Sequence, residues 1–314
     1  MKAKKGSAVR VVDKRRTPAV AGFETRRVTP PGRREHAILL GFYDNTEARS
    51  FLEGKGLEEN LVGEALQKRV KAEERIKSLS PLADKTPAAL PITDREATRE
   101  IEKIMELPDC EEIFPRGTWT PSLVEISTLI PMQPNLDLAY AESLGPPDLS
   151  SSRILSAVRL CFDDSRSTTF GISLDKVQKS LTITGVNPTL QVRGLQYGKQ
   201  HQDGPFIVSM MIGAAPNIVQ VSQFAGRHFL VSGNHRVYRL MKAGFSHVPC
   251  IVQSGKSIEE IGARGPNFFP GSVLTAPRPP LFPDFADNVL GVIVSLRAVS
   301  KVIRIRPDEY SVLR

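Results

Sequence analysis

Residues 228–252 read HFLVSGNHRVYRLMKAGFSHVPCIV, and this stretch decides the fold class. Phe229-Leu230-Val231 is a short apolar run, as is Ile218-Val219-Gln220-Val221 before it. With Ala225-Gly226 between them, the two runs predict a hairpin with a short loop. After Ser232 the period changes. Val237, Leu240 and Met241 fall at i, i+3 and i+4, which predicts a helix with one apolar stripe, and Arg239 and Lys242 are placed on its outer face. Gly244 stands where a helix ends in a left-handed residue, and Phe245 beside it is placed to touch Leu240, as in a Schellman ending. Val248-Pro249-Cys250-Ile251-Val252 then returns as a strand. Strands joined through a helix are as a rule parallel with a right-handed crossover, so that geometry is expected here. The fold class is therefore α/β, in the sense of a mixed α+β sheet.

The turn Gly233-Asn234-His235-Arg236 falls between a strand end and a helix start. The first backbone N–H groups of a helix have no partner within it, and the helix dipole adds positive potential, so such a turn suits an anion. Gly233 permits close approach to the backbone. Arg236 is a permanent cation with a bidentate fork. His235 can donate a hydrogen bond or carry charge near neutral pH. The same residues also have a structural reading: glycine for the turn, arginine for a carboxylate, histidine as a satisfied polar group.

LVSGNHRVYRLMKAGFSHVPCIV resembles the core of ParB/sulfiredoxin-type domains, in which an apolar strand leads into a G-x-x-R turn, a short helix ending in Gly and a V-P strand. Upstream, TPSLVEISTLIPMQPNLDL resembles the first strand of that family. The resemblance covers 216–252 clearly and 121–138 more weakly, about a third of the chain. It implies contact with nucleotide phosphates at the turn, a role inherited by Gly233, His235 and Arg236 with Asn234 in the same candidate site, a nucleotide such as CTP or ATP with Mg as cofactor, hydrolysis or transfer of phosphate as an open activity, and association with DNA or a mobile element. Two features depart from the family. Asn234 stands where sulfiredoxins have cysteine, which removes the sulfur nucleophile. After Val252 neither a second phosphate motif nor a helix-turn-helix follows, only Pro-rich connections and two further strands, VLGVIVSLRAV and KVIRIRP. Glu125, at the end of the expected first strand, is the one candidate general base. Two other functions stay open: a non-enzymatic nucleic-acid-associated assembly protein, and a ParB-like nuclease.

Outward from this core the chain changes character. Residues 1–35 hold eleven Lys/Arg against three Asp/Glu, a surplus of eight, and the remaining 279 residues carry 31 of each sign. The net charge of +8 thus belongs to a basic tail, expected to be disordered and able to hold nucleic-acid phosphates by counterion release. Residues 36–117 are expected to form a helical segment. It begins with the apolar patch AILLGFY (37–43), followed by helical spacing from Thr46 to Leu79. The Pro/Ala linker PLADKTPAALP (81–91) comes next, then a second helix capped by Thr93 with Glu96 and stopped by Pro108. A ParB/sulfiredoxin-like domain over 118–306 would follow, with an insertion at about 145–205 in which SLTITGV and TLQVRGL read as strands around Asn187-Pro188 and HQDGP (201–205) as a loop.

No apolar run reaches the roughly 20 residues of a membrane helix, so no membrane partner is expected. Cys110, Cys161 and Cys250 form no CxxC pair, which points to unpaired thiols and a cytoplasmic setting. Asp163-Asp164 and Asp284/Asp287 read as solvated acidic pairs rather than metal ligands.

Overall fold

The structure is a computed structural model and describes residues 32–148, 150–163, 170–185, 190–197, 208–214, 217–262, 265 and 267–308. The molecule mixes helices with mixed and antiparallel sheets. The central sheet has six strands in the order Leu90–Pro91, Thr120–Glu125, His247–Ser254, Gln220–Phe224, Arg227–Ser232, Ile130–Pro131. The hairpin forms as expected: Gln220–Phe224 pairs antiparallel with Arg227–Ser232 across Ala225 (φ 49°) and Gly226 (φ 74°).

The helix Asn234–Lys242 also forms, with Val237 and Leu240 fully buried. It ends in a Schellman turn. The Phe245 N–H reaches the Leu240 carbonyl (3.0 Å), the Gly244 N–H reaches that of Met241 (3.0 Å), and Gly244 has φ 75°. The crossover, however, is not parallel. Gln220–Phe224 lies between the two strands that flank the helix, antiparallel to Arg227–Ser232 and parallel to His247–Ser254, so those two run in opposite directions. Gln220 is level with both Ser232 and Ile251, and His247–Cys250 project beyond it to pair with Ser122–Glu125. The helix therefore prolongs the direction of Arg227–Ser232, and the Schellman turn sends the chain back down the sheet.

A second sheet ties the N-terminal segment to this body. Arg33–Ile38 is hydrogen-bonded on one edge to Val292–Arg297 and on the other to Asn135–Asp137. Arg33, Arg34 and Glu35 thus belong to a strand rather than to a tail, and residues 1–31 lie outside the described residues. Ala37 to Leu40 are completely buried in one hydrophobic core that also takes in Val62, Ile101, Val124, Phe229, Ile251 and Phe282. The 36–117 segment and the 118–306 segment share this core.

Local chemistry adjusts the helical segment. One run of helical spacing becomes two helices, Asn45–Gly54 and Glu59–Lys77, because Gly56 (φ 71°) breaks the chain between them. The next helix, Arg95–Met105, is capped by Asp94 (Ala97 N–H to Oδ1, 2.9 Å) rather than by Thr93. An aspartate one residue later meets the free N–H, and Glu96 then falls outside the box. Pro108 starts the short helix Pro108–Ile113 at the position where its missing N–H costs nothing. The Pro/Ala segment crosses the body. Leu82 N–H bonds to Pro277 O and Thr86 N–H to Gly226 O, and Leu90–Pro91 forms an edge strand, as proline permits.

In the insertion, Ser180–Gly185 and Leu190–Tyr197 are strands that join different sheets. The first lies between Phe170–Asp175 and Lys301–Ile305, and the second pairs with Val208–Ala214. The connections at 187–188 and 201–205 lie outside the described residues. Among the described residues no helix is long and apolar enough to cross a membrane.

At Gly41 the chain packs closely against the Glu59–Lys77 helix. A Cβ there would stand 2.7 Å from the Ala72 Cβ and 2.9 Å from backbone atoms of the Glu59–Lys77 helix. Gly41→Ala should therefore destabilise the protein by about 1–3 kcal/mol. An unchanged urea midpoint would show that this contact is not a constraint.

Candidate functional site

The Gly233–Arg236 turn stands at the end of Arg227–Ser232 and opens the helix Asn234–Lys242. Gly233 caps the helix with φ 104°, ψ 16°, a conformation that disfavours other residues. A Cβ on it would lie 2.8 Å from Val219 Cγ2 and 3.1 Å from Val219 Cα. The glycine is thus required by the neighbouring chain as well as by the turn. The N–H groups of Arg236 and Val237 both bond to Gly233 O (3.0 Å each). Those of Asn234 and His235 precede the first helical hydrogen bond, as at any helix start.

Arg236 does not present a fork to solvent. It is buried, with Nε donating to Leu160 O (2.9 Å) at the end of the helix Arg153–Cys161 and Nη2 3.5 Å from Asp163 Oδ2. The expected anion ligand is an internal brace, and Asp163, expected as a solvated acid, is its counterion. Asp164 lies outside the described residues. Burial requires this: a guanidinium removed from water must have its donors satisfied within the protein.

His235 is also turned inward. The Asp137 N–H donates to its Nε2 (3.3 Å), which leaves the ring proton of the neutral form on Nδ1, and the Tyr140 ring meets it edge-on at 4.7 Å. Burial lowers its pKa to about 4, with Arg236 and His36 adding to the effect against the opposing Asp137. The charge near neutral pH expected of this histidine is therefore absent.

Asn234 is the unusual member of the turn. It is 5% exposed and donates from Nδ2 to Gln133 Oε1 (3.3 Å), while its Oδ1 is buried without a hydrogen-bond partner. A buried carbonyl oxygen of this kind costs about 1–3 kcal/mol unless something meets it.

A polar cluster that the sequence did not reveal surrounds the turn. On Arg33–Ile38, Arg34 and His36 share the face opposed to Asp137. Arg34 Nη1 donates to Asp137 Oδ2 (3.1 Å), and His36 Nδ1 is 2.8 Å from Asn135 Oδ1. Asp137 Oδ1 also caps the helix Leu138–Ser143 through Tyr140 N–H (2.8 Å). Asp137 thereby links Arg34, His36, His235 and Tyr140. The signal was present only as alternation: R-x-H in one strand and N-x-D in another, each pair on one side of its strand. Their pairing across about 100 residues could not be read locally.

Glu125 lies elsewhere. It opposes His247 in the strand register, accepts a hydrogen bond from Ser127 Oγ, and sits three strand positions from the strand that carries the turn. It is not assembled with Gly233–Arg236. The three cysteines are buried and form no disulfide, and burial raises the thiol pKa of Cys161 and Cys250, so neither is a poised nucleophile. Asp284 is buried and paired with Arg278 (2.7 Å), while Asp287 caps the N–H groups of Val289 and Leu290. Among the described residues no group of three His, Cys, Asp or Glu is placed to hold a metal.

In comparisons with known proteins, no family model matches the chain, and no curated protein or solved structure shows significant similarity to it.

Arg236→Ala should act on the fold. It removes the bond to Leu160 O and the ion pair with Asp163, and a loss of about 1–3 kcal/mol is expected in urea unfolding. Stability unchanged by this substitution would return Arg236 to the list of ligand-binding candidates. A second expectation concerns pH. His36, His228 and His235 are all held below the ordinary histidine value, chiefly by burial. The unfolded chain therefore binds these protons before the folded one does, and stability rises with pH across the window. Their contribution is complete above about pH 6.5 and is lost as pH falls, for His235 down to about 4. Urea midpoints should drop steadily from pH 7 to pH 4.5, with a shallower fall in His235→Gln. A flat wild-type profile would contradict the burial of these rings.

Proposed function

We propose that this chain binds a phosphate-bearing ligand, a nucleotide, at the mouth of the Gly233–Arg236 turn. The observation that carries the proposal is the Asn234 side chain. It is buried at the first position of a nine-residue helix, with Oδ1 unpartnered, beside the backbone N–H groups of Asn234 and His235. A helix start offers N–H donors and positive potential to a phosphate oxygen. An amide can present either its oxygen or its nitrogen by a half-turn, so Asn234 can meet a phosphate oxygen with its NH₂ group or a protonated ligand group with its oxygen. The resemblance of LVSGNHRVYRLMKAGFSHVPCIV to ParB/sulfiredoxin-type domains supports the same reading. The role given to Arg236 changes: it holds the helix start in place, and the backbone with Asn234 meets the ligand. Binding without chemistry is the form proposed, because Glu125 lies three strands away and the His235 Nε2 is taken by the Asp137 N–H. Asn234 in the cysteine position and the buried thiols leave no sulfur for sulfinate reduction.

Calorimetry with CTP, ATP, GTP and tripolyphosphate, with and without Mg²⁺, tests the proposal. At least one of these should bind, and Asn234→Ala should weaken it by about tenfold, the scale of one hydrogen bond to a charged group. The same variant should melt no lower than wild type, because it removes an unsatisfied buried oxygen and one long bond to Gln133. Undiminished ligand affinity in Asn234→Ala would remove the turn as the phosphate site.

A further inference from the structure

A cavity of about 430 Å³ opens between the helix Asn45–Gly54 and the residues Asn267, Phe268 and Pro270. Its walls are of two kinds. Tyr43, Phe51 and Phe268 supply flat aromatic surface, and Glu47, Ser50, Lys55 and Asn267 supply polar groups. The aromatic wall is braced from behind: Tyr43 stacks on Phe51 (centroids 5.8 Å, 26° between planes) and packs against Phe269 at 5.2 Å. Lys55 is held in place as well. Its Nζ donates to Asn267 Oδ1 (2.7 Å) and lies 5.1 Å from the centre of the Phe51 ring.

The cavity adjoins the turn. Phe269 N–H bonds to Met132 O (2.9 Å), and the next residue, Gln133, is the partner of Asn234.

We propose that this cavity is a nucleobase pocket, selective for bases that carry an exocyclic amino group, with Lys55 at the edge from which the phosphates leave for the turn. The inference rests on the phosphate site proposed above for its second half and stands on the cavity alone for its first. A base stacks on an aromatic face whatever its identity, which is what Phe51 and Phe268 offer. One oxygen of the acceptor-only Glu47 carboxylate takes the Asp44 N–H (3.1 Å) and the other can recognise an amino group, whereas a base edge of two carbonyl oxygens about a single N–H meets it less favourably. The same carboxylate repels phosphate, so the ligand's charged end must lie toward Lys55.

The test uses the full chain with ATP, CTP, GTP, UTP and tripolyphosphate in calorimetry, and with adenosine and cytidine in saturation-transfer NMR. At least one amino-bearing nucleotide should bind about tenfold or more tighter than tripolyphosphate, the contribution of one stacked base. UTP should bind no better than tripolyphosphate. Ser50→Trp, an exposed substitution that fills the cavity, should cancel the advantage of the base and leave tripolyphosphate binding unchanged; Phe51→Ala should do the same if it folds as wild type does. Nucleosides that show saturation transfer, lost in Ser50→Trp, in a protein that binds no tripolyphosphate would uphold the pocket and overturn the phosphate site. Equal affinity for UTP and the amino-bearing nucleotides, an advantage retained in Ser50→Trp, or no binding of any of these compounds would each overturn the pocket.

Discussion

The strand Arg33–Ile38 is the constraint on which the rest of the structure depends. Both its edges are paired, one with residues near 295 and the other with residues near 136, so three distant parts of the chain are held in register by one six-residue segment. Closing such long loops is entropically costly, and apolar burial offsets it: Ala37, Ile38, Leu39 and Leu40 are wholly inaccessible to solvent. The alternation of the same strand sends Arg34 and His36 to the side that meets Asn135 and Asp137. Core formation and assembly of the polar cluster are thus one event.

A second constraint acts at the turn. Gly233 has no room for a side chain against Val219, and Arg236 reaches across to the end of the Arg153–Cys161 helix. Each of these residues has a complete structural role, and this determines what is left for a ligand. The guanidinium is engaged and His235 is neutral, so attraction for an anion at the turn falls to backbone dipoles, with Lys55 and Arg34 as the nearby cations. Of these, Arg34 already has Asp137 as its partner. A phosphate site of this kind would discriminate by geometry more than by charge.

Much of the fold was legible because it is local. The hairpin about Ala225-Gly226, the helix from Asn234 and its Schellman ending each depend on residues within five positions of one another. The direction of the strand His247–Ser254 does not. It depends on Gln220–Phe224 taking the place beside it, a competition between strands that no window of sequence contains. The cap at Asp94 in place of Thr93 is a smaller case, in which two adjacent residues can both cap and the helix register chooses between them.

The amino-acid sequence by itself determined the mixed α+β character and the position of the strand–turn–helix unit, because periodicity and turn chemistry act over short range. Only the tertiary structure decided which turn residues face inward. Burial turned Arg236 from an expected anion ligand into a brace and His235 from a charged group into a neutral one. It also brought His36, Asn135 and Asp137 to the turn from segments with no sequence relation to it. Residue type sets what a side chain can do, and the packing of distant strands sets how much water it keeps; a charge, a proton or a fork of donors is available to a ligand only where that water can be displaced.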